Sequence, residues 1–458
     1  MAGVRPPPPP EFVSGCREVV GDGHVLVDPD VTAGYATDWT GRFRGAAPVV
    51  VRPGTTGEVA RVVALARRHR VALVPQGGNT GLVGGGVPLA GEVVVSLTRF
   101  GALAVDPLAA QATAGAGVTL AALAGAATDA GLAFGVDLGA RDSATVGGMV
   151  ATNAGGVRVL RHGAMRAQVV GVEAVLGTGE IVSRLAGLVK DNTGYDLAQL
   201  LCGSEGTLGI VTAARLRLVA PPASVVTAVV GVDTVARAVA AAAALRRDVP
   251  GLSALELMTG PSLRVVAEFL GAPPPVAPDA GAYLLVEADA PDDPVPALAT
   301  ALGGYDGVVD AAVATERTDR ARLWRWREAH SEAGAALGPV HKLDVTLPAA
   351  GLAGFCAEVT DRVAQARPGA TTLLFGHVGD GNVHVNVVGP APDDHGVDDV
   401  VLGLVVERGG SISAEHGIGT VKKAWLDRDR SPEEVHAMRA VKRALDPDGI
   451  LNPEVLFL

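Results

Sequence analysis

The sequence predicts an α+β protein of more than one domain, its second half built on a largely antiparallel sheet. Three observations carry this. The 458 residues exceed the roughly 100–200 of a single domain. The first part opens with a β-α-β unit and continues into short hairpin strands. From residue 223, long β-prone runs alternate with helices, the pattern of a sheet with helices packed against it.

The elements follow in order. "MAGVRPPPPPEF" has a proline run that reads as an extended tail, and no apolar h-region that would make it a signal peptide. "APVVVRP" (47–53) is a buried strand, "TTGEVARVVALARRHR" (55–70) a Thr-capped helix, and "VALVPQGG" (71–78) the next strand. "EVVVSLTRF" (92–100) and "ALAVDPLAAQATAGAGV" (102–118) give short strands, and "TLAALAGAATDAGLAF" (119–134) a second Thr-capped helix. "VVGVEAVLGTGEIVS" (169–183) is a hairpin around Gly-Thr-Gly. Past Pro221-Pro222 come the strand "VVTAVVGV", the helix "DTVARAVAAAAALRR", the strands "YLLVEAD" and "GVVDAAVAT", one helix over 317–337, and the strand "HKLDVTLP". "PDGILNPEVLF" (447–457) is a turn and a docked tail. The expected organisation is a tail and helical lead-in over 1–44, a first domain over 45–221, a second over 222–405, and a segment over 406–458 that returns to the first.

Composition excludes several function classes. Hydrophobic residues are 48% and charged residues 19%, a globular balance. The most apolar stretch, "SVVTAVVGVDTVARAVAAAAAL", is interrupted by Asp233 and Arg237, so it is not a membrane span. A net charge of −11, with no basic cluster beyond "RRHR" (67–70), argues against nucleic acid as a partner. Cys16, Cys202 and Cys356 are odd in number and far apart, which leaves no disulfide framework and suits a reducing cytoplasm.

Three glycine-rich stretches carry the first chemistry: "PQGGNTGLVGGG" (75–86), "GVDLGARDSATVGGMVATNAGG" (135–156) and "CGSEGTLGIVT" (202–212). Without a Cβ, successive backbone N–H groups converge on an anion. One such loop is more often a tight turn, but three beside strands, rich in Ser, Thr and Asn, point to a phosphate ligand. No P-loop or dinucleotide fingerprint is present. What remains is a pyrophosphate cofactor held by several separate loops.

"PQGGNTGLVGG", "DSATVGGMVATNAGG", "KDNTGYDL" and "GSEGTLGIVT" resemble the FAD-binding half of the flavoproteins typified by vanillyl-alcohol oxidase and p-cresol methylhydroxylase. The resemblance runs from about residue 45 to 458 and is strongest to the FAD-dependent D-2-hydroxyacid dehydrogenases. It implies a two-subdomain FAD-binding domain followed by an α+β substrate (cap) domain. It also implies an extended FAD whose pyrophosphate lies at the 76–81 loop. The implied cofactor residues are Pro75, Gln76, Gly77, Gly78, Asn79, Thr80 and Gly81, then Asp137, Ser143, Gly147, Gly148, Thr152, Asn153 and Gly155. Glu205, Gly206, Gly209, Ile210 and Asn452 complete them. Some relatives attach the flavin through a histidine in the first loop; this loop has none, so the FAD is expected to be non-covalent.

"FGHVGDGNVHVN" (375–386) concentrates two of the ten histidines. Asp-Gly is a strong type I′ hairpin signal. With Asp380 and Gly381 at the tip, His377 opposes His384, their Cβ atoms about 4.5–5.5 Å apart on one face, and Asn386 shares that face. Such a pair also occurs simply packed, and a metal site needs a third ligand. Glu415 and His416, in what reads as an apolar, glycine-flanked strand end, "GGSISAEHGIGTVKK", offer one. The resemblance assigns His377, His384 and Glu415 as ligands of a divalent ion and His416 as the catalytic base. Zinc is expected, with manganese or iron(II) compatible.

Arg327 and Ser331 stand i,i+4 on the expected helix and so share a face, and Lys342 adds a second cation. Most such residues are surface charges. In the D-2-hydroxyglutarate dehydrogenases that the chain resembles, Arg, Thr and Lys at these spacings hold substrate; here Ser stands for Thr, and Asn386 fits the same type. The expected activity is oxidation of a D-2-hydroxyacid, D-2-hydroxyglutarate first and D-malate next, to the 2-oxoacid. The rivals are a D-lactate dehydrogenase, a glycolate oxidase subunit, a non-redox enzyme of alkylglycerone-phosphate synthase type, and an accessory subunit. The expected partners are the hydroxyacid, an electron acceptor (a quinone, a cytochrome or an electron-transfer flavoprotein) and a second copy in a homodimer. The expected location is the cytoplasm or the inner face of its membrane.

Overall fold

The structure, a computed structural model, describes residues 5–391 and 394–457. The first four residues of the proline-rich tail lie outside them. From Arg5 the tail is tied down, with its N–H on the Ala90 carbonyl and its guanidinium on Glu454. A helix then starts at Pro10, where a proline costs no hydrogen bond.

The described chain separates into two compact units. One holds residues up to 156, 163–221 and 415 onwards; the other holds 157–162 and 222–414. In the first, β1 (Val25–Leu26), β2 (Val50–Val51), β3 (Leu73–Gln76) and β4 (Val93–Ser96) form a sheet ordered β1-β2-β4-β3. The strands β2, β4 and β3 run parallel. The crossover helix Thr56–His69 is capped by Thr55, which accepts the Glu58 N–H. Its buried Val59, Val62, Val63 and Ala66 recur at helical spacing and form the apolar stripe of that helix. A second, antiparallel sheet contains β5 (Leu103–Asp106), β6 (Gln111–Gly115), β7 (Val169–Leu176), β8 (Ile181–Ser183) and β9 (Gly209–Arg217), ordered β5-β6-β9-β7-β8. Part of the expected second glycine loop is a short helix, Val146–Thr152. Gly147 is there for packing: a Cβ would lie 2.6 Å from that of Ala116.

The second unit is one antiparallel sheet of seven strands: β10 (Ser224–Val232), β11 (Leu252–Thr259), β12 (Ala282–Ala290), β13 (Val308–Ala314), β14 (Val340–Thr346), β15 (Thr371–Gly376) and β16 (Asn382–Val388). Their order is β13-β10-β12-β11-β15-β16-β14. Helices Gly260–Leu270, Arg317–Glu328 and His330–Leu337 cover one face over Val229, Met258, Tyr283 and Leu285. The single helix expected over 317–337 is therefore two. They part at Ala329, where the His330 Nδ1 bonds the Arg327 carbonyl (3.1 Å) and competes for the helical acceptor. The chain returns to the first unit at Glu415; Ser411 and Ala414 are still bonded to β14. Among the described residues no helix is long and apolar enough to cross a membrane.

Candidate active site

Buried strands read as continuous apolar runs, so an acid within one needs partners. Glu256, in the wholly buried β11, is 0% exposed. One of its oxygens takes His377 Nδ1 at 2.6 Å and the other takes Arg327 Nε at 2.7 Å. Burial alone would raise its pKa; the positive charges of His377 and Arg327 and their hydrogen bonds overturn that and hold it at about 2. A carboxylate only accepts, so His377 donates from Nδ1 and turns Nε2 elsewhere.

The hairpin register differs from the expected one. Residues 377–381 form the turn, and His384 pairs with Phe375, not with His377. Gly376 sets this. Its φ is 152°, and a Cβ there would meet the Asn382 carbonyl at 2.8 Å. The His377 carbonyl then accepts the N–H groups of Asp380 and Asn382, both at 3.1 Å. A two-residue slip keeps every side chain on its face, because the strand period is two. His377 lies just past β15, in the turn, and its imidazole still meets that of His384, with ring centroids 5.3 Å apart. Across from His384 stands Asp344, also 0% exposed, its oxygen 3.5 Å from His384 Nδ1. Asp344 further accepts from Asn382 Nδ2 (2.6 Å) and the Ala414 N–H (3.1 Å).

Lys342 stands directly opposite Asn386, one pleat along from the Asp344–His384 pair. Burial lowers its pKa. The Arg327 guanidinium comes onto this sheet face from its helix, 4.8 Å above the Phe375 ring. Arg327 and Ser331 lie on either side of the break at Ala329, Arg327 buried and Ser331 exposed. By strand pairing, Lys342, Asn386, Asp344, His384 and Phe375 line one face.

Glu415 and His416 open the segment that returns to the first unit, in an irregular loop and not a strand end. Glu415 accepts the Gly156 N–H at 2.9 Å. Gly417 and Gly419 have φ of 85° and 53°, a region that favours glycine. Glu205 holds this loop, taking the N–H groups of Ile418 (2.9 Å) and Gly419 (2.7 Å). Its burial raises its pKa against those two bonds. The carboxylate expected at the cofactor is thus committed to the histidine-bearing loop.

Other amides in the glycine loops are structural too. Gln76 Nε2 donates to the carbonyls of Tyr35 and Gly86, and Asn79 Nδ2 to that of Thr37. Asn452 Nδ2 donates to the carbonyls of Gly85 and Glu205. Thr80 accepts from Trp39 Nε1 through its carbonyl, Asp137 pairs with Arg141, and Thr152 bonds the Gly148 carbonyl. Asn153 closes its helix at φ 50°, and Gly206 turns at φ 71°. Gly209 and Ile210 open β9, Ser143 is exposed, and Gly155 is buried. With these side chains occupied, backbone N–H groups are left to meet a ligand around Gly77 to Gly81. Thr145 Oγ1 and Ser204 Oγ are buried with no hydrogen-bond partner among the described residues. Thr145, beside Gly77, is a hydroxyl that the sequence reading passed over. Orphaned hydroxyls next to a glycine cradle fit an acceptor-rich pyrophosphate. A Cβ on Gly78 would lie 1.8 Å from the Ser143 carbonyl oxygen. Gly78→Ala is expected to purify with less than about a tenth of the wild-type flavin, since tenfold in occupancy needs only ~1.4 kcal/mol. The ratio of absorbance in the flavin and protein bands checks it, and full flavin would show that the loop yields freely.

Comparison with known proteins bears on the fold and the cofactor. A family profile described as "FAD linked oxidases, C-terminal domain" matches residues 221–456, and one described as "FAD binding domain" matches 47–184. The chain is 40% identical to a D-2-hydroxyglutarate dehydrogenase of Xanthomonas citri pv. viticola, over 92% of each chain. It is 37% identical to the mitochondrial D-2-hydroxyglutarate dehydrogenase of Bos taurus, over 95% of this chain and 81% of that one. It is 34% identical to a D-2-hydroxyglutarate–pyruvate transhydrogenase of Saccharomyces cerevisiae, over 95% and 92%. Among solved structures it is similar in fold to 4-ethylphenol oxidase from Gulosibacter chungangensis, with a TM-score of 0.78 at 19% identity over 100% and 98% of the two chains. It is also similar to p-cresol methylhydroxylase, at 0.76 and 17% over 99% and 97%.

Proposed function

This chain belongs to the family of FAD-linked oxidases that includes the D-2-hydroxyglutarate dehydrogenases, and from that premise we propose that it oxidises D-2-hydroxyglutarate to the 2-oxoacid. FAD supplies the hydride acceptor when bound. The observation that carries the dicarboxylate reading is Lys342 opposite Asn386, on the sheet face that also holds His384. Arg327 would take one carboxylate with the terminal nitrogens that its bond to Glu256 leaves over, and Lys342 the other. His416 would receive the hydroxyl proton. A divalent ion, zinc first, would be held by His377, His384 and Glu415 and would supply Lewis acidity toward the hydroxyl oxygen. The donor set suits it. His377 Nδ1 is committed to Glu256, and His384 Nδ1 faces Asp344, so a buried carboxylate orients each ring. Ala414, pinned to Asp344, is followed directly by Glu415.

The test is anaerobic mixing of the purified flavoprotein with D-2-hydroxyglutarate, D-malate, D-lactate and glycolate in turn, following loss of flavin absorbance. Bleaching fastest with the dicarboxylates supports the reading. Bleaching fastest with D-lactate or glycolate replaces it with a monoacid enzyme, and no bleaching favours a non-redox role. Lys342→Met should raise KM for D-2-hydroxyglutarate by about 10–100-fold, the equivalent of one hydrogen bond to a charged group, and leave D-lactate nearly unaffected. An equal loss for both substrates would remove Lys342 from the second carboxylate.

The FAD is non-covalent in this reading, because the 76–81 loop offers no nucleophilic histidine. Acid precipitation should release all the yellow colour into the supernatant, and colour in the pellet would contradict it. Electrons leave to a quinone, a cytochrome or an electron-transfer flavoprotein. The three buried free thiols suit a reducing compartment, the cytoplasm.

A further inference from the structure

We propose that Glu256 is a positioning residue that serves the ion site and the substrate clamp at once, through one carboxylate shared between His377 and Arg327. This rests on the reading of His377 as an ion ligand and Arg327 as the partner of a substrate carboxylate. Glu256 is fully buried, and both its oxygens are occupied, at 2.6 Å by His377 Nδ1 and at 2.7 Å by Arg327 Nε. A burial so costly for a carboxylate persists when both bonds are made and is penalised when either partner goes. With no oxygen to spare, Glu256 acts through these two side chains.

The bond to His377 fixes the position and the plane of that ring; losing such a partner typically costs a ligand site 10–100-fold in affinity. The bond to Arg327 fixes the other element. Nε is held at one edge, and the guanidinium plane lies 4.8 Å above Phe375, so the two terminal nitrogens point in one set direction. Phe375 is also 5.2 Å from the His384 ring and 4.7 Å from that of the buried His330. The guanidinium and the second imidazole are thus braced on one aromatic ring, while Glu256 joins the guanidinium to the first imidazole. A role in packing alone would predict loss of stability without this paired loss of two ligands.

The experiment separates the two arms. Zinc affinity is measured by competition with a chromophoric chelator, without substrate. 2-Oxoglutarate affinity is measured on the metal-free flavoprotein by perturbation of the flavin spectrum. His377→Ala should lose zinc and keep 2-oxoglutarate; Arg327→Met should lose 2-oxoglutarate and keep zinc. Glu256→Gln should lose about tenfold or more in both, with its flavin ratio unchanged. Should Glu256→Gln fail to fold, Glu256→Asp keeps the buried charge, withdraws it by one methylene, and should show the same paired loss in smaller degree. Both affinities within twofold of wild type, or loss of zinc alone, would overturn the shared role. A wild-type protein that takes up no zinc would instead overturn the ion reading on which it rests.

Discussion

His416→Ala is expected to leave a fully yellow protein whose D-2-hydroxyacid turnover has fallen by about 10²–10⁴-fold, the usual worth of a positioned general base. The loop that carries His416 is held through backbone N–H groups. Glu205 grips the N–H groups of Ile418 and Gly419, and the left-handed Gly417 and Gly419 set the path. Removing the side chain leaves those two bonds in place. The cradle around Gly77, Gly78 and Thr145 does not involve it, so flavin content should stay at the wild-type level. Retention of more than about a tenth of the rate, against the 10² lower bound, would take His416 out of the base role.

Local signals were legible in the sequence, and long-range ones were legible only in part. The β-α-β unit over residues 47–76 reads correctly because its determinants are neighbours: the Thr55 cap, the spacing of Val59, Val62, Val63 and Ala66, and the apolar flanking strands. The histidine hairpin reads correctly in its face and wrongly in its register. Parity is a property of the strands, but register depends on Gly376 and on the His377 carbonyl capturing two N–H groups. Glu256 and Asp344 carried a signal that was passed over, an acid in the middle of "LSALELMT" and of "HKLDVT". Their burial could be suspected from that. Their partners could not, since Arg327 and His377 lie 71 and 121 residues from Glu256. Arg327 and Ser331 were read on one unbroken helix, which the structure parts at Ala329. An i,i+4 argument assumes an unbroken helix, and His330 takes the carbonyl that would have continued it. Glu205 was placed by motif in the cofactor set, but its bonds show that it builds the loop after His416.

Stripping the proposed divalent ion is expected to abolish D-2-hydroxyacid oxidation and leave the flavin spectrum as it was. The separation follows from where the residues lie. The glycine cradle and the orphaned hydroxyls of Thr145 and Ser204 belong to the first unit. Two of the three proposed ligands, His377 and His384, stand on the sheet of the second. Each has its Nδ1 turned to a fully buried acid, Glu256 or Asp344, so the imidazoles keep their orientation when the ion leaves. Activity should then return on adding the metal back, without a refolding lag. Two imidazole nitrogens and one carboxylate select among metals as well. Zinc should restore the rate, manganese or iron(II) in part, and magnesium poorly, because magnesium takes oxygen ligands and gives up its waters reluctantly. The measurement is turnover against metal content after dialysis with a chelator, with elemental analysis of the same samples. Undiminished turnover in a protein with no detectable metal would mean that His377 and His384 serve the substrate directly, and Glu256 would then be orienting a substrate-binding imidazole instead of a ligand.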